Sequence, residues 1–113
     1  MTVTDKTTVE ELRLMSEKMS EALVKGVVDI ARRILVLDAG LHSDEELFLL
    51  DDGSDQADLW GINLWPDYFG TDEFVEFDSM INIRPLQSNR SRGVEDPDVR
   101  RLICEIVAEK IDE

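Results

Sequence analysis

Apolar residues recur along this chain with two different spacings, and the spacing separates helices from strands. Thr8 and Glu11 have the separation of a capping box, and Leu12, Met15, Met19, Ala22 and Leu23 follow at helical intervals, predicting a helix over about residues 9–22. Residues 24–38 fit two patterns. A single helix through Leu37 satisfies the spacing, but the β-branched run Val27-Val28 with Gly26 beside it weakens a helix. Two short apolar runs with no N-cap between them favour two strands turning at Arg32-Arg33. Ser43 and Glu46 repeat the capping-box separation, Leu47, Phe48 and Leu50 supply apolar contacts, and Gly53 offers a helix stop.

The second half alternates more regularly. Residues 59–65 read as a strand ending at Pro66, followed by a loop to Asp72. Over 74–84, Val75, Phe77, Ile81 and Ile83 alternate with Glu76, Asp78, Asn82 and Arg84, the pattern of a strand with one face in the core. Pro85 to Val94 is a polar loop. Asp96 caps a last helix and Pro97 opens it, with Val99, Leu102, Ile103, Ile106 and Val107 as the buried stripe. The order α-β-β-α-β-β-α implies an α+β fold, a mostly antiparallel sheet packed against helices. The 113 residues suit one domain, with residues 1–7 expected to be a flexible N-terminus.

Composition narrows the function. The 26 acidic residues against 12 Lys and Arg give a formal charge of −14, so general nucleic-acid binding, which needs a cationic surface, is not expected. No apolar run suggests a membrane span or a signal peptide, and Cys104 is the only cysteine, so a disulfide framework is excluded. A cytoplasmic location is the expectation that follows.

Three strings stand together: LWGIN at 59–63, EFDSMINIRP at 76–85 and NRSRGVEDP at 89–97. They resemble a small prokaryotic family of unknown function, from about Val24 to the C-terminus. The resemblance implies a shared fold and carries no activity. Members of that family usually carry a glycine in the turn near Arg33, which fits a hairpin there; this chain lacks it.

Three sets of residues could do chemistry. Residues 34–83 hold 13 acids and no Lys or Arg, and within them Asp51, Asp52, Asp55 and Asp58 could together bind a divalent cation. The plainer reading is a solvated loop, since the spacing fails the EF-hand pattern. Asp44, Glu45 and Glu46 fit the favourable charge at the start of a helix. The second set is a polar sheet face. If Trp60, Ile62 and Leu64 point inward with Val75, Phe77 and Ile81, the opposite face carries Asn63, Trp65, Glu76, Asp78, Asn82 and Arg84. The third is a loop with Asn89, Arg90 and Arg92, whose guanidinium groups could grip an anion or pair with Glu95 and Asp96. His42 is the only histidine, so no two-histidine metal site can form within one chain.

These features point to a small binding or interaction module that uses the sheet face, the aromatic residues around Trp65 and Tyr68, and the arginine loop. Its partner would be a protein or a small polar ligand, and a homodimer is open to it. Two other readings stand beside it. One is a metal-assisted hydrolase with Glu76 and Asp78 holding a divalent cation and Arg84 stabilising developing charge. The other is an acidic subunit that neutralises a basic protein.

Overall fold

The computed structural model describes residues 1–113. In chain order the elements are β1 (Thr2–Thr4), β2 (Thr7–Thr8), α1 (Val9–Lys18), β3 (Val24–Asp29), β4 (Ile34–Leu37), α2 (His42–Asp51), β5 (Leu59–Leu64), β6 (Val75–Glu76), α3 (Pro97–Lys110) and β7 (Ile111–Asp112). The main sheet has the order β1-β4-β3-β5-β6 and every pairing in it is antiparallel; β2 and β7 form a separate parallel pair. The expected α+β fold with a mostly antiparallel sheet is therefore present, with three short strands that the apolar pattern does not mark. Two of them, β1 and β2, lie in the segment expected to be a flexible N-terminus.

The ambiguous stretch 24–38 forms a hairpin. Its strands read as near-continuous apolar runs because both faces of the sheet are covered. Val24, Val28, Leu35, Leu37, Trp60, Ile62 and Leu64 point to one face, where they meet Leu12 of α1 and Ile103, Ile106 and Val107 of α3. Val27, Val36 and Leu59 point to the other face and meet Leu49 of α2. In the turn, Asp29 accepts hydrogen bonds from the backbone N–H groups of Ala31 and Arg32, both at 2.9 Å. Arg33 then takes φ +55°, a left-handed conformation that is cheap for glycine and costs a side-chain-bearing residue about 1–2 kcal/mol. A glycine in that turn thus has a clear physical use.

Three expectations need correction. The first helix ends at Lys18, four residues early, because Ser20 takes φ +56° and breaks the helical path. Ser43 does not cap α2: the helix begins at His42, Leu41 is its N-cap, and no side chain bonds the cap. Glu45 does not sit in water at the helix start. It is fully buried, and neither carboxyl oxygen has a hydrogen-bond partner of good geometry. Burial, partly opposed by the nearby Ala39 backbone, pushes its pKa up to about 9, so the group is a neutral acid at neutral pH.

The largest departure is at 74–84, where alternation predicts one long strand. Only Val75–Glu76 pairs with the sheet. Ser79 then caps a 3-10 turn at Met80–Asn82 by accepting from the Ile81 N–H. The chain folds over the outer edge of β5, and the Asn82 carboxamide takes the place of a neighbouring strand. Its Oδ1 accepts from the Gly61 N–H at 2.8 Å and its Nδ2 donates to the Gly61 C=O at 2.9 Å. Glycine is required at 61, since a Cβ there would lie 2.5 Å from Ser79 Cβ. The inward set splits accordingly. Val75 and Phe77 pack on the α1–α3 face, whereas Ile81 packs on the α2 face and Ile83 is exposed.

Candidate functional site

The sheet face expected to be open is covered by α2 and by the 77–84 segment, and a cleft of about 620 Å³ remains between them. Five of the residues expected to bind a ligand line it: Asn63, Trp65, Glu76, Asp78 and Arg92. Each is positioned by a different local cause. Asn63 and Glu76 face each other in register across β5 and β6. Glu76 Oε1 accepts from Asn63 Nδ2 at 2.8 Å and from Trp65 Nε1 at 3.3 Å, so one carboxylate orients an amide and an indole. Asp78 pairs with Arg92, which arrives from the loop before α3.

Eight other residues also line the cleft, among them Lys25, His42 and Ser43. Lys25 stands opposite Asn63 in the β3–β5 register, so strand pairing brings it there rather than any motif. Its Nζ donates to Gly40 O at 2.9 Å. His42, at the start of α2, bonds Ile62 O through Nε2 at 2.7 Å. A carbonyl partner requires a donor, which assigns the proton to Nε2 and leaves Nδ1 an acceptor. Burial lowers the His42 pKa, against the opposing pull of Ile62 O and Asn63, so the ring is neutral at pH 7. Asn63 is only 5% exposed, and its Oδ1 has no hydrogen-bond partner.

The remaining expected residues lie elsewhere. Asn82 and Asn89 are buried and hold the backbone together. Asn89 Nδ2 donates to Asn82 O and Gly93 O, and its Oδ1 accepts from the Glu95 N–H. Arg84 does not neutralise Glu76 or Asp78. It bonds the carbonyls of Gln56 and Leu59 and stacks 4.2 Å from the centre of the Trp60 ring. Arg90 is exposed; its backbone N–H and that of Ser91 are held by the Glu95 carboxylate, whose pKa they lower. The loop is thus pinned to the start of α3 by Asn89 and Glu95.

Asp51, Asp52, Asp55 and Asp58 do not converge, and Asp52 pairs with Arg32 instead. No group of three or more His, Cys, Asp or Glu side chains in the fold is gathered closely enough to hold a metal ion. Cys104 lies on α3, in a different groove, and desolvation raises the pKa of its thiol.

A family model matches residues 1–110, and its description is protein of unknown function, DUF5674. The chain belongs to DUF5674. That membership agrees with the resemblance carried by the three strings, and extends it to the N-terminal strands. Every residue lining the cleft falls within the DUF5674 match. No curated protein and no solved structure matches the chain. No helix is long and apolar enough to cross a membrane.

Proposed function

We propose that the protein is a binding module that holds a small polar ligand in the cleft between α2 and the β5–β6 edge. The observation that carries this reading is the Asn63 side chain. A buried amide oxygen without a partner is costly, and a donor from a ligand would remove that cost. Around it stand acceptors, Glu76, Asp78 and His42 Nδ1, and cations, Lys25 and Arg92. Such a mixed lining suits a ligand with several hydroxyl or amino donors and one anionic group.

The same geometry supports binding over catalysis. The one histidine bonds Ile62 O and no serine or threonine hydroxyl, and the one thiol lies in another groove with a raised pKa. No nucleophile is thereby paired with a base. The test is calorimetric titration with a panel of monosaccharides, amino acids and aliphatic polyamines. Binding by a panel member that Asn63→Ala and Asp78→Asn each weaken tenfold or more supports the cleft. Binding that neither substitution alters would place the ligand elsewhere.

A further inference from the structure

Adjoining the cleft lies a second hollow of about 360 Å³ lined by only five residues: Trp65, Tyr68, Glu73, Val75 and Glu76. We infer that this hollow is a binding site for an organic cation, an ammonium or guanidinium head on an apolar stem. It shares Trp65 and Glu76 with the cleft but does not depend on a ligand being there.

The chemistry follows from the lining. The Trp65 and Tyr68 rings have centroids 6.2 Å apart and planes inclined at 61°, so they form two walls of a corner. The face of an aromatic ring is electron-rich and attracts a cation, and indole does so best. Two walls with a carboxylate beside them are the arrangement that recognises alkylated ammonium groups. Here two carboxylates are present, Glu73 and Glu76, and no Lys or Arg lines the hollow. Arg13 reaches Asp67, the residue before Tyr68, and is ion-paired there at 3.5 Å, while the guanidinium of Arg84 is held by the carbonyls of Gln56 and Leu59. The Trp65 Nε1–H bond to Glu76 Oε1 fixes the indole edge against one carboxylate, so ring and charge are held together before any ligand arrives. Tyr68 is 45% exposed, leaving its ring open to solvent. Val75 supplies an apolar contact for methyl or methylene groups. The cleft differs in carrying Lys25 and Arg92, which would repel a cation.

The head group could belong to a free small molecule or to a Lys or Arg side chain of a basic peptide, and the experiment separates the two. The Trp65 indole N–H resonance of isotope-labelled protein is followed during titration with choline, with its neutral isostere 3,3-dimethyl-1-butanol, and with a lysine-rich decapeptide. Choline or the peptide should shift the resonance saturably, at least tenfold more tightly than the neutral isostere. Tyr68→Ala and Glu73→Gln should each weaken binding five- to tenfold, while Asp78→Asn, which touches only the cleft, should leave it unchanged. Tighter binding by the peptide identifies a side chain as the source, and tighter binding by choline identifies a free cation. Equal binding of the neutral isostere, no binding of either cation, or indifference to Tyr68→Ala would overturn the inference. Asp78 lines the cleft and not the hollow, so a polar ligand that fails to respond to Asp78→Asn would show the failure of the cleft reading separately.

Discussion

The two faces of the central sheet differ in how they are closed. Against α1 and α3 the face is dominated by a cluster of 15 buried hydrophobic residues. Against α2 and the 77–84 segment the cluster holds only four, with Ile34, Leu50 and Ile81 packed on it, beside the buried polar side chains of Asp29, Glu45, Asn63 and Asn82. Burial of apolar surface is non-directional and tolerates many local arrangements. A buried amide or carboxyl requires a partner in one place. One face therefore supplies stability, and the other supplies positioned polar groups at a cost in stability. The cleft and the aromatic corner both open beside the second face, at the β5–β6 edge.

Truncating the apolar face should give the largest effect. Ile103→Ala removes a fully buried side chain from α3 without harming the helix, because alanine is a good helix former. The expected loss is roughly 3–4 kcal/mol, from lost burial plus the cavity left behind. Urea unfolding measures it, and a loss below about 1 kcal/mol would show that this face collapses around the gap rather than resisting it.

Asn82→Ala attacks the polar face at its busiest side chain. It strips partners from both backbone groups of Gly61 and from Arg92 O, all made by one carboxamide. Arg92 O keeps the Ser79 N–H, and the two unsatisfied Gly61 groups would cost about 3 kcal/mol, moderated where water can enter at the sheet edge. Hydrogen exchange at the Gly61 amide should quicken with it. If the stability falls but Gly61 stays protected, another group has replaced Asn82 and the strand-like role is wrong.

That residue also explains what could be read from the sequence. The strands β3, β4 and β5 and the helix α3 each carry their own signal within a few residues, and each lies where it is expected. The 77–84 segment carries an equally regular alternation, yet its structure is set by partners about twenty residues away. Nothing local distinguishes an asparagine facing water from one that pairs with Gly61 across the sheet edge. The cleft divides in the same way. Trp65, Glu76 and Asp78 follow from alternation on adjacent strands. Lys25 and His42 require the β3–β5 register and the seat of α2, which the apolar pattern leaves open. Glu45 was hidden because three consecutive acids at a helix start look like favourable dipole charges, and only the packing of α2 separates one of them from solvent.

Glu45 gives the sharpest measure of what the polar face costs. In the unfolded chain its carboxyl titrates near the ordinary 4.5, and in the folded protein at about 9. Between those values the unfolded chain releases a proton that the folded protein keeps, so wild-type stability falls as pH rises through this window. Glu45→Gln keeps the shape and abolishes the titration. The substituted protein should gain on the wild type by about 2.5 kcal/mol between pH 5 and pH 7, at 1.36 kcal/mol per pH unit with a correction for partial ionisation at pH 5. His42 titrates in both proteins and largely cancels from the difference. Chemical denaturation at pH 5, 6 and 7 reads the widening gap. A gap that stays constant would mean that Glu45 ionises in the folded state with a partner, and the α2 face would then be stabilised by a charge rather than burdened by a buried acid.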